Sequence, residues 1–72
     1  MRTLREGDWG AAVELLQWAL GRAGESVAAD GIFGPQTAEA VIAFQRAVGL
    51  TADGIIGPIT WYAIINKRNE IV

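Results

Sequence analysis

Apolar positions recur along the chain at helical spacing in three places. In "WGAAVELLQWALGRAG", Val13, Leu16 and Leu20 stand at i, i+3 and i+7, which sets them on one face of a helix. Asp8 precedes the run as a candidate N-cap, and Gly24 follows it as a candidate left-handed C-terminal residue. The pattern therefore predicts a helix over about Trp9 to Ala23. In "PQTAEAVIAFQRAVG", Ala40, Val41, Phe44 and Val48 form the apolar stripe and Gly49 ends it. Pro35 takes the first helical position, where its missing N–H has no partner to lose. A third run, "PITWYAIINKR", opens the same way on Gly57-Pro58. Its apolar side is Trp61, Ile64 and Ile65, and Lys67 and Arg68 suit the negative end of its dipole.

The stretches that lead into the second and third helices are almost the same. "DGIFGPQT" begins at Asp30 and "DGIIGPIT" at Asp53, 23 residues on, and both read Asp-Gly-Ile-x-Gly-Pro-x-Thr. Each non-apolar residue has a backbone task here. The Asp carboxylate accepts turn N–H groups, Gly31 and Gly54 supply φ > 0, and Gly34 and Gly57 stand as N-caps. Thr37 and Thr60 fall at N3, within reach of the cap or of the Asp, while Phe33 and Ile56 are expected to point into the core. A weaker echo sets "AVELLQWALG" of the first helix against "AVIAFQRAVG" of the second. The whole reads as a repeated helix–turn–helix unit that closes on itself, too short for an open solenoid.

Composition narrows the class. A chain of 72 residues builds one small core, and at 51% hydrophobic with a mean hydropathy of +0.26 it is expected to fold. No apolar run approaches the roughly 18 residues of a membrane span, and Met1-Arg2-Thr3-Leu4 leads into charge instead of an apolar leader. A soluble domain without a signal peptide, and no membrane partner, are the expectations. Net charge is −2 and the six Lys and Arg are scattered, so no basic stripe awaits nucleic acid. Without Cys or His there is no disulfide framework, thiolate metal site or imidazole base, and stability rests on packing.

Taken in order, "LREGDxGxxVxxLQxxLxxxG" followed by "DGIFGPQTxxAVxxFQxxxGLxxDGIxGPxTW" resembles the peptidoglycan-binding domain appended to bacterial and phage cell-wall hydrolases. The resemblance runs from about Leu4 to Ile65 and implies one all-α domain over residues 1–72, a small three-helix bundle with an internal pseudo-repeat. It also implies a non-catalytic role at the cell envelope or outside the cell. Such a domain holds a fused catalytic domain against the glycan strands or stem peptides of the wall. Similar domains also precede extracellular metalloproteases as pro-segments, without a wall ligand.

The residues offer no competing chemistry. Asp30 and Asp53 occupy the same turn position in a repeat, as capping demands and as asymmetric acid–base work does not, so no catalytic residue is assigned. No alternating acids mark a calcium loop, and no Gly-Lys-Ser/Thr follows the glycines to cradle a phosphate; no metal or cofactor is expected. What departs from the family pattern is apolar: Trp9, Trp18, Ile42, Ile59, Tyr62 and Ile65 stand where polar residues are usual. Trp9 and Trp18, nine residues apart, cannot share a helix face.

Three readings of these residues stay open: an enlarged edge of the core, a sugar- or peptide-binding surface, or a protein interface, natural or engineered. For peptidoglycan the candidate surface is the turn and helix start, Asp30, Ile32 and Gln36, with Trp18 and Arg46 nearby if the first two helices pack antiparallel. The alternative, a self-associating or protein-binding domain, would use Trp9, Trp18, Ile59, Tyr62 and Ile65.

Overall fold

A computed structural model describes residues 2–66, and within them α-helices form where the apolar stripes fall: α1 Ala11–Arg22, α2 Pro35–Ala47 and α3 Pro58–Asn66. α1 packs against both α2 and α3. Its stripe of Val13, Leu16 and Leu20 meets Val41 and Phe44 from α2 and Trp61 and Ile64 from α3 in one cluster. Phe33 and Ile56, the middle residues of the two turns, are buried in the same cluster as expected. The fold is a small all-α bundle. Lys67 and Arg68, assigned to the end of the third helix, lie outside the described residues.

Two expectations from local pattern are corrected. α1 begins at Ala11, not Trp9, and Asp8 is not its N-cap; Gly10 is, without a side-chain cap bond. The Asp8 carboxylate instead accepts the Arg5 N–H at 2.9 Å. The backbone here is held by pairing with the first turn. Gly10 N–H donates to Gly31 O and Phe33 N–H to Asp8 O, each at 2.9 Å, and Trp9 lies antiparallel to Ile32 between these bonds. Leu4 and Ile56 exchange both backbone bonds, at 3.0 and 2.8 Å. The segment from Leu4 to Gly10 thus straps both turns together. Trp61 Nε1–H, donated to Arg2 O at 3.0 Å, ties the start of that segment to α3.

The second correction concerns α3, whose inward face is Thr60, Trp61 and Ile64. Ile65, grouped with them in the sequence pattern, stands ~40° beyond Trp61 around the helix, at the rim of the buried face, and is exposed. Ile42 is half-buried, its side chain lying against the Gly54 backbone, and so belongs to the packing between α2 and the second turn.

Candidate functional site

α1 carries one polar residue inside its apolar stripe, and that residue organises the first turn. Gln17 is 1% exposed. Its Oε1 accepts the Gly31 N–H at 2.8 Å. Its Nε2 lies within 3.0 Å of Asp30 Oδ1, 2.9 Å of Ile32 O and 3.0 Å of Thr37 Oγ1, so two N–H groups serve three acceptors. Gln45 of α2 does the same for the second turn. Gly54 N–H donates to its Oε1, and its Nε2 faces Asp53 Oδ1, Ile55 O and Thr60 Oγ1. A buried amide must be satisfied to be tolerated, and here it is. Among the described residues no buried side-chain nitrogen or oxygen lacks a partner.

This clamp was not foreseen from the sequence, although its signal was present. The echo between "AVELLQWALG" and "AVIAFQRAVG" places a glutamine at the same point of both helices, directly after an apolar residue of the stripe, Leu16 or Phe44. The threonines accordingly work differently from expectation. Thr37 hydrogen-bonds Gln17 and, at 3.4 Å, Ile32 O, and Thr60 hydrogen-bonds Gln45; neither reaches the helix cap or the Asp.

The aspartates and glycines do as expected. Asp30 Oδ1 accepts the Ile32 N–H at 3.0 Å, and Asp53 Oδ1 the Ile55 N–H at 2.9 Å. Gly31 and Gly54 have φ of 78° and 75°, a region costly to any side chain. Each Asp carboxyl is held below its ordinary range, by the backbone N–H first and the glutamine amide next, with Arg5 helping at Asp53. A carboxyl held low stays ionised and accepts hydrogen bonds, the reverse of what a general acid needs.

A groove of about 320 Å³ opens beside each turn. The first is lined by Val27, Ala28, Asp30, Ile32, Pro35 and Gln36, together with Gly34 and Thr37. The second uses the positions 23 residues on, and its main differences are Thr51 for Ala28 and Ile59 for Gln36. From the first groove a more polar hollow of about 470 Å³ continues past Glu25, Ser26 and Gln36 to Glu39.

Three of the sequence-derived candidates, Asp30, Ile32 and Gln36, thus come together in one groove. Trp18 and Arg46 do not line it. Arg46 is in the last turn of α2, roughly 16 Å along the axis from Pro35. Trp18 is 56% exposed, with the Arg22 guanidinium 4.8 Å from the centre of its ring. Of the interface candidates, Trp9 stands opposite Ile32, Ile59 lines the second groove, and Tyr62 and Ile65 are exposed on α3.

Comparison with known proteins agrees with this architecture. The family model of the peptidoglycan binding domain matches residues 10–64. A peptidoglycan-binding protein from Clostridioides difficile, solved with glutamine hydroxamate, superposes with a TM-score of 0.85 at 43% identity, over 88% of this chain and 40% of that one. The endolysin of Burkholderia phage AP3 superposes at 0.86 with 51% identity, over 88% of this chain and 24% of that one. The SleB N-terminal domain superposes at 0.85 with 32% identity, over 90% of each. No curated protein matches the chain. The chain belongs to the peptidoglycan binding domain family. It spans less than half the length of the Clostridioides and phage proteins.

Proposed function

We propose that the chain is a non-catalytic module that binds peptidoglycan through the first groove and would hold an attached hydrolase against its substrate at the cell envelope or outside the cell. Family membership supports the ligand class. The observation that carries the site is that Asp30, Ile32 and Gln36 share one groove, on a turn already rigid from the Gln17 clamp. A concave surface that sets a few polar groups among apolar ones is a usual form of a ligand site. The attached enzyme is suggested by the phage endolysin, a quarter of whose chain is covered.

The test is sedimentation with insoluble peptidoglycan, with light scattering to report mass. The chain should pellet with the wall as a monomer, and Asp30→Ala with Gln36→Ala should release it. A wild-type chain that stays in the supernatant overturns the reading. A second reading, self-association, is favoured by the exposure of Ile59, Tyr62 and Ile65 on one short helix, and the same scattering measurement decides it.

A further inference from the structure

We propose that Trp9 is the sugar-stacking residue of this site, and that the first groove therefore takes the pyranose rings of a glycan strand, not a stem peptide; the proposal rests on the peptidoglycan-binding reading above. Trp9 is 76% exposed, so it does not serve as an enlarged edge of the core. Its backbone is nevertheless fixed on both sides by the bonds from Gly10 to Gly31 and from Phe33 to Asp8. Trp9 and Ile32 form the non-hydrogen-bonded pair between those bonds, the type in which opposed side chains leave the ladder on one side with Cβ atoms about 4.5–5.5 Å apart. Ile32 lines the groove, so the pairing sets the indole beside a residue of its lining.

The chemistry of this surface suits a sugar ring, which has an apolar face of C–H groups and an edge of hydroxyl and amide groups. Trp9 and Ile32 supply an apolar shelf, and Gln36 supplies an amide beside it. Among the described residues, the bonds Asp30 makes within the turn all use Oδ1, which leaves Oδ2 to accept from a hydroxyl. Trp18, the other exposed indole, already has a guanidinium over its ring. The second turn lacks the arrangement: Leu4 pairs with Ile56, the counterpart of Phe33, so the register sets the exposed Arg5, not an aromatic, against Ile55, the counterpart of Ile32, and the groove has Ile59 in place of the amide. One groove of the pair thus has both an aromatic shelf and an amide.

Two probes separate the ligand sources: intact peptidoglycan sacculi, and glycan strands from which an amidase has removed the stem peptides. Wild type should bind both. Trp9→Ala should weaken both by about tenfold, Trp9→Phe should retain most of the affinity, and Trp18→Ala should cost clearly less than Trp9→Ala. Stripped glycan should also shift the tryptophan emission of wild type to the blue and leave that of Trp9→Phe unmoved, a readout independent of how well the alanine variant folds. Binding of Trp9→Ala equal to wild type overturns the proposal, as does a wild type that binds sacculi and ignores stripped glycan, or a Trp18→Ala loss that matches it. All three leave peptidoglycan binding standing. A wild type that binds neither probe removes the function and this inference together.

Discussion

At the scale of residues, two glutamines decide the geometry of the site. Gln17 and Gln45 each hydrogen-bond a glycine N–H, an isoleucine carbonyl, an exposed carboxylate and the buried hydroxyl of Thr37 or Thr60, which would otherwise face the interior without water. Methionine matches glutamine in length but offers no amide. Gln17→Met and Gln45→Met should therefore each lower stability by roughly 1–3 kcal/mol, the cost of leaving such groups unpaired. Urea unfolding followed by circular dichroism checks this, and two neutral variants would mean that the clamps do not stabilise the turns. Asp30 and Asp53 add a dependence on pH. Their folded carboxyls titrate below the unfolded value of about 3.9, so their contribution is complete above that value and is lost as pH falls through the lowered folded ones. The thermal midpoint should drop on acidification below about pH 4, and the double variant Asp30→Asn, Asp53→Asn should show a shallower drop there. An equally steep fall in the double variant would place the acid sensitivity elsewhere.

At the scale of elements, what was legible in the sequence was what is local. The stripes of α1 and α2, Pro35 at a helix start, the positive φ of Gly31 and Gly54 and the burial of Phe33 and Ile56 all follow from neighbours within a few positions. The strap from Leu4 to Gly10 was not legible, because its partners are 21 to 52 residues away: Gly10 bonds to Gly31, Trp9 pairs with Ile32 and Leu4 with Ile56. That pairing outcompeted an otherwise reasonable helix start at Trp9 and took Asp8 from the cap position. It also moved an indole from the predicted helix to a place opposite Ile32. The strap has an energetic consequence at its other end. Leu4 is wholly buried among Ile56 and its neighbours, and Leu4→Ala should cost roughly 2–5 kcal/mol. In a domain of this size the margin is only about 3–5 kcal/mol, so much of the variant should be unfolded at room temperature. Native-like circular dichroism and an unshifted urea midpoint would show that the strap is dispensable.

At the scale of the whole molecule, the question is whether the exposed apolar residues of α3 join two copies of the chain. Ile59, Tyr62 and Ile65 are all exposed, but three side chains offer on the order of 400 Å² per copy, about half of the roughly 800 Å² that a stable interface takes from each partner. A patch of that size is ordinary on a monomer, where the largest is about 300–600 Å². Tyr62 and Ile65 line neither groove beside the turns, and Ile59 lines only the second. The variant Tyr62→Lys, Ile65→Gln should therefore keep the monomeric mass of wild type in light scattering and pellet with peptidoglycan to the same extent. The opposite pair of results, a wild-type dimer that the two substitutions dissociate and whose wall binding falls with it, would assign the α3 face and not the first groove as the surface through which the domain works. A wild-type dimer that dissociates with wall binding intact would separate the two surfaces, making self-association a property of α3 and leaving the groove with the glycan.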